Sequence, residues 1–300
     1  MKRTLLTLLQ IGVTVGILWL IFRDPVKRAE MGAALAAAKP GWMLAAVLVF
    51  GAVVAAGTAR WGLLLRVQGI VFSKIQLTAL FMIGLFFNFF MPGGTGGDVV
   101  KIFYLIRATP HRRAAAVLAT LVDRVLGLFT MILIAGVMIA IRYDDLVNHA
   151  SPAAVKVFYS FMAILVASIV GVVTSFVVAG TGLASKLPAK FPGRTTLVDL
   201  SVAYAAYAKA WKVSLGAIGL STVVHLFSFT VFYCAARALN ENPPLVDFFA
   251  KLPIIQTIAS LPLSLAGVGM REWLFAEFFP YLTAAKSNLI GTCGFLATLV

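Results

Sequence analysis

Long apolar runs separated by short polar connectors fill this chain. A helix of about 20 apolar residues crosses the hydrocarbon core of a bilayer. Six runs read as full spans: Leu5–Phe22, Trp42–Leu65, Ala114–Ile141, Ala153–Gly180, Val213–Leu239 and Leu282–Val300. The first follows Lys2 and Arg3, as a secretion signal would, but it is too long for a signal core and no small-x-small cleavage site follows closely. An uncleaved helix is the better reading. The last run is barely long enough, which leaves room for the natural chain to continue past Val300.

Two further regions are apolar but interrupted: Ile75–Arg107 at "MPGGTGGD" and Phe248–Phe279 at "LPLSLAGVG". As a helix, the piece from Val99 to Arg107 would cover roughly 14 Å, half a hydrocarbon core. Each region therefore reads as a re-entrant hairpin rather than two complete crossings. At a lag of 170 residues Lys39 aligns with Lys209, Pro92 with Pro262, Gly97 with Gly267 and Lys101 with Arg271. Element order aligns too: span, polar connector, span, broken hairpin, span. The expected fold is an all-α polytopic membrane protein with about six transmembrane helices and two re-entrant hairpins. It forms one transmembrane domain, residues 1–300, with pseudo-repeat halves 1–145 and 150–300. An odd number of crossings per half inverts the second, the arrangement of carriers whose sites lie at mid-membrane beside paired broken helices. The connectors "DPVKRAEMGAALAAAKPGW" and "TTLVDLSVAYAAYAKAWK" read as short interfacial helices; structural elbows are the plainer role for them, lipid sensing the other.

Composition agrees with the pattern. Of 300 residues 61% are hydrophobic and only 12% charged, too few to solubilise a domain of this size. The net charge of +14 is scattered through short loops, so an anionic leaflet rather than nucleic acid is the expected counterpart. The basic segments Lys101–Arg113 and Lys186–Lys212 fall on the cytoplasmic side by the positive-inside rule, and the neutral or acidic "RYDDLVNHA" and "NENPPLVD" outside. Both chain ends then lie in the cytoplasm, although the slightly basic loop Arg23–Lys39 falls outside. Cys234 and Cys293 both lie in apolar runs and imply neither a disulfide framework nor a metal site.

Non-helical backbone at membrane depth is tolerated only inside protein or beside water. Pro92, Gly93, Gly94, Gly96 and Gly97 mark one hairpin tip, and Pro262, Gly267 and Gly269 the other. The first string lacks the Gly-Lys-Ser/Thr of a nucleotide loop, and Val99 stands where a dinucleotide fingerprint needs its third glycine. Ionised groups at this depth face protein or a polar pathway. Asp98, Lys101, Asp123, Arg124, Arg271 and Glu272 are the candidate substrate-binding residues, with Glu277 further along. With half-helix dipoles they would make a cavity suited to a zwitterionic or anionic headgroup. Asp98 has a second reading as the N-cap of the returning helix. Arg60 lies nearer the cytoplasmic end of its run, where snorkelling is the simpler account.

The strings "NFFMPGGTGGDVVKIFYL", "VDRVLGLF", "RWGLLL" and "LPLSLAGVGMRE" resemble the transmembrane region of lysylphosphatidylglycerol synthase and its stand-alone flippase-like relatives, over essentially the whole chain. One departure is Ala266, where a Gly-Gly pair would be expected. The resemblance implies an inner-membrane protein that moves polar lipids between leaflets, with Asp98, Arg124, Arg271 and Glu272 touching the headgroup. In two-part relatives a soluble aminoacyl-transferase domain follows this region. Here hydrophobic segments run to Val300, so the expectation is translocation without catalysis and without cofactor or metal. Membrane lipids are the expected partners, alongside a separate lipid-modifying enzyme and further copies of the chain. The alternatives are a small-solute or ion carrier and a non-transporting partner of a lipid-modifying enzyme. An intramembrane enzyme would need a catalytic constellation that the spacing does not offer.

Overall fold

The computed structural model describes Gly12, Trp19 and residues 23–90, 96–142, 144, 152–181, 188, 194–260 and 267–298. The expected first span, Leu5–Phe22, lies almost wholly outside the described residues, as do Pro92, Gly93, Gly94, Pro262 and Ala266. Among the described residues the fold is all helical, with no strand. The helices are α1 (Pro25–Ala36), α2 (Pro40–Val67), α3 (Lys74–Phe90), α4 (Gly96–Ala108), α5 (Arg113–Ile141), α6 (Pro152–Gly180), α7 (Arg194–Lys209), α8 (Trp211–Ala238), α9 (Leu245–Ala259), α10 (Met270–Phe278) and α11 (Ala284–Leu296).

Apolar length and local signals explain these elements together. Asp24 starts α1 by accepting from the Val26 backbone N–H at 2.9 Å, and Pro40 starts α2 with φ already set for a helix. Three stretches among the described residues are long and apolar enough to cross a membrane: Pro40–Val67, Pro110–Ile141 and Trp211–Ala238. Their outer faces leave Leu44, Leu48, Val125, Leu215 and Phe227 exposed, which in water would be costly but in lipid is neutral. The 29-residue α6 fills the expected Ala153–Gly180 run.

The pair α2 and α8 has the most extensive packing in the fold. Each has 28 residues and each ends in the same motif. In α2 the Ile70 N–H reaches Leu65 O and the Gly69 N–H reaches Arg66 O, with Gly69 at φ 68. In α8 the Glu241 N–H reaches Ala236 O and the Asn240 N–H reaches Arg237 O, with Asn240 at φ 62. This paired bonding to the last carbonyls through a left-handed residue stops a helix sharply. Pro40 and Trp211, Lys74 and Leu245, and Arg113 and Ala284, which start matching helices, lie the same 171 residues apart (211 − 40, 245 − 74, 284 − 113).

α3 and α4 run antiparallel. Asn88 faces Gly97, and Gly84 faces both Gly97 and Lys101. A Cβ on Gly97 would overlap the Gly84 carbonyl, so glycine sets the close approach of the two backbones. α9 and α10 are antiparallel as well. Phe248 packs against Phe275 and Phe279 with ring centroids 6.2 and 5.1 Å away, and Gly267 lies beside Ala259 O. These rings, with Phe229 and Phe232, form the largest buried cluster, while Trp61, Leu65, Phe81 and Leu105 form its counterpart around α2, α3 and α4.

One expected span is shorter than foreseen. In place of Leu282–Val300 the helix is the 13-residue α11, about 20 Å long at the helical rise. Thr283 caps its start and Ala297 closes it, so the local chemistry ends the helix before the apolar run does. α11 packs on α1, α8 and α10, and it buries Ser287 and Asn288, which a lipid-facing helix would not carry.

Candidate functional site

Charged side chains from three helices meet inside the bundle. Asp123, the eleventh residue of α5, accepts a two-point contact from Arg60 of α2: Nε to Oδ1 at 2.7 Å and Nη2 to Oδ2 at 3.0 Å. The third arm of the guanidinium, Nη1, donates to the Ser221 hydroxyl on α8 at 2.8 Å. Both side chains are over nine-tenths buried. Gly127, one turn along α5, leaves room for the guanidinium, and its carbonyl lies 2.9 Å from His225 Nε2 on α8. Arg60 was expected to snorkel; it is instead held by a carboxylate and a hydroxyl. Apolar patterning along α2 gives no sign of this, because the partners are 63 and 161 residues away. The available clue was a lone acid and a lone base at comparable depths in two spans.

Arg124, the next residue on α5, turns the other way and donates from Nη1 to Asp98 Oδ2 on α4. Lys101, a turn beyond Asp98, puts Nζ 3.7 Å from the other carboxylate oxygen. Its ammonium also lies 4.5 Å from the Phe81 ring centroid and 5.2 Å from that of Trp61, a cation–π cradle that helps to replace lost water. Gly84 leaves space for the lysine stem to cross α3. The Asp98–Arg124 pair is the more open part of the cluster, with side chains 16% and 32% exposed.

Asp98 is the third residue of α4 and not its N-cap. Asn88 on the facing helix caps instead, its side-chain oxygen accepting from the Gly97 N–H at 2.9 Å. Asp98 still complements the positive end of the helix dipole from the first turn. Gly96 and Gly97 are buried there. Asn88 was not among the expected residues, although a polar amide ending an apolar run pointed to it.

The structure thus brings Asp98, Lys101, Asp123 and Arg124 together. Arg271 and Glu272 make their contacts elsewhere, on α8 and α11. The buried Arg271 guanidinium lies 4.7 Å from the Phe295 ring centroid and 5.8 Å from that of Phe232. The buried Glu272 carboxylate turns back to accept from the Gly269 N–H at 2.6 Å, capping its own helix. Gly267 and Gly269, at φ 77 and 84, occupy left-handed conformations that a side chain would strain. Glu277 on the same helix is exposed.

The comparison with family models fits this layout. The model of the lysylphosphatidylglycerol synthase TM region matches residues 7–299. The chain belongs to that family. No curated protein matches the chain. Membership of the lysylphosphatidylglycerol synthase TM-region family, with the long apolar helices, establishes a membrane location and a link to membrane lipid modification or transport. The matched residues include both interrupted hairpins and all six charged candidates.

Proposed function

We propose that the chain is a polar-lipid translocase of the flippase type, moving phospholipid or aminoacylated or glycosylated lipid headgroups past the charged cluster while the acyl tails stay in the bilayer. The observation that carries this reading is the pair Asp98 and Lys101 on a short helical hairpin, met by Arg124 of α5. Together they offer one carboxylate and two cations to a headgroup bearing both phosphate and amine. A headgroup can exchange with an existing ion pair at little cost in unpaired charge, which a neutral site could not offer. Asp123 serves by fixing Arg60, while Arg124 addresses Asp98. Arg271 supplies the cation on the opposite hairpin, and Glu272 shapes that hairpin's turn.

Helix lengths support the re-entrant geometry. α9 and α10 have 15 and 9 residues, so by the 1.5 Å rise each falls short of a roughly 30 Å core. The 171-residue offset shared by three pairs of helix starts supports two related halves. So do the matched ends of α2 and α8, and the basic residue on an aromatic ring in each hairpin. An inverted relation would present one hairpin to each leaflet, as alternating access requires. The proposed setting is the inner membrane with both chain ends cytoplasmic. The protein would act without catalysis of its own, beside a separate lipid-modifying enzyme and as more than one copy.

The test is fluorescent-lipid exchange in proteoliposomes, read by dithionite quenching of the outer leaflet. Protein-dependent loss of the inner-leaflet signal is expected, with Asp98→Asn and Arg124→Gln reducing the rate. Unchanged lipid asymmetry with folded protein present would overturn the reading and favour a solute carrier or a partner subunit.

A further inference from the structure

A second charged place lies outside the cluster, where α2 ends and α5 begins. There α7 packs across α5 and α8, pinned by the Tyr207 hydroxyl donating to Leu64 O at 3.1 Å and by Gln68 Nε2 donating to Ala203 O at 2.7 Å. Between these elements opens a cleft of about 610 Å³ lined by Gln68, His111, Arg112, Arg113, Asp199 and Ala203. Arg112 is committed to the fold, since its Nη1 donates to Gln68 O at 2.6 Å. His111 and Arg113 are exposed at the cleft; Arg113 donates from Nε to Pro110 O at 3.2 Å, which directs its guanidinium from the start of α5, whose positive dipole end no side chain caps. On the other side of Ala206, which lines both, a groove of about 580 Å³ runs between Leu63, Val67 and Val213, with Arg66 and Lys209 at its edges.

α2 crosses the membrane, so its end and the adjoining cleft lie at headgroup depth. Arg113 and Arg124 are eleven positions apart on α5, which puts the cleft roughly 16 Å along the helix from the inner cluster. The lining carries two arginines against one aspartate, and the groove beside it adds two more cations to an apolar floor. Charge outside and hydrocarbon within is the complement of a lipid rather than of a soluble anion or a peptide.

We propose that this cleft binds the phosphate headgroup of an anionic phospholipid, with the acyl chains lying in the adjoining apolar groove. The phosphate sits against Arg113 and the α5 N-terminus, Lys209 and Arg66 add positive charge at the edges of the adjoining groove, and Asp199 limits how much negative charge is accepted. The site is distinct from the translocation cluster and holds whether or not headgroups pass Asp98.

Titration of the detergent-purified protein with fluorescent phosphatidylglycerol tests this, with phosphatidylcholine and inorganic phosphate as competitors. Arg113→Gln with Lys209→Gln should weaken phosphatidylglycerol binding by roughly tenfold or more, since each interfacial cation contributes about fivefold. Asp199→Asn should tighten binding, and Arg113→Lys with Lys209→Arg should retain it. Unchanged binding in the glutamine variant, loss in the charge-retaining variant, or equal competition by phosphatidylcholine would overturn the proposal. Displacement by inorganic phosphate as effectively as by lipid would also overturn it, in favour of a soluble-anion site. The titration needs no lipid movement, so its failure and failure of the translocase reading are separate results.

Discussion

At the first interruption Asp98 directs its carboxylate outward, to Arg124 on another helix and to Lys101 beside it. At the second, Glu272 folds one carboxylate oxygen inward onto Gly269 of its own turn, while the other accepts from the Thr292 hydroxyl of α11 at 3.4 Å. Both cations lie against aromatic rings. Lys101 lies against the Phe81 and Trp61 rings with the Asp98 carboxylate 3.7 Å away, and Arg271 lies between Phe232 and Phe295 in the more aromatic half. Close packing at the first tip comes from Gly97 meeting Gly84, and at the second from the left-handed turn through Gly267 and Gly269. Two hairpins with similar spacing in sequence thus place their acids differently. The first sets its carboxylate against cations, and the second turns its own to a backbone N–H and a hydroxyl.

The sharpest way to break this comparison is to remove the anchor behind the first hairpin. Asp123→Ala leaves Arg60 buried without its carboxylate and should cost about 3–5 kcal/mol, read as a large loss of thermal stability in detergent. Arg60→Met with Asp123→Leu should recover most of that loss, and if it does not, burial of charge is not the cause. Next, exchanging the pair as Asp98→Arg with Arg124→Asp should keep the fold, while either single change lowers lipid exchange by about tenfold or more. Equal loss in the swap and the singles would mean that the orientation of the pair matters and its sum does not.

Glycine substitutions should separate the two tips more finely. Gly97→Ala should cost about 1–3 kcal/mol by forcing α3 and α4 apart, and Gly267→Ala about 1–2 kcal/mol through backbone strain. Shortening the Gly84 neighbour with Lys101→Ala should not relieve Gly97→Ala, because the obstacle there is a backbone carbonyl. The smallest effect is expected for Glu272→Gln. An amide oxygen can still accept from the Gly269 N–H, so stability should fall by no more than about 1 kcal/mol and lipid exchange should persist. A collapse of exchange in that variant would place Glu272 on the headgroup path and erase the contrast between hairpins.

Much of the fold was legible because membrane helices announce themselves by composition. The runs at Trp42–Leu65, Ala114–Ile141, Ala153–Gly180 and Val213–Leu239 all lie in helices, and both polar connectors form α1 and α7. The end of the chain was misjudged because hydropathy does not see Thr283 capping a short helix packed within protein. Of the six charges expected around one cavity, Asp98, Lys101, Asp123 and Arg124 lie near one another, whereas Arg271 and Glu272 make their contacts on other helices. Which one meets which was not legible. Adjacent positions on α5 point in different directions, so Asp123 and Arg124 take different partners, and Arg60 is a contact across 63 residues that no local pattern encodes.

The Arg60 anchor also imposes a schedule on biogenesis. α2 leaves the ribosome well before Asp123 exists, and Ser221 follows later still. A nascent chain halted between Val67 and Asp123 would carry a bare guanidinium into lipid, so α2 should remain at the insertion machinery or slide towards the surface. Release into the bilayer then becomes favourable only when α5 arrives, which makes the order of synthesis part of how this ion pair is assembled.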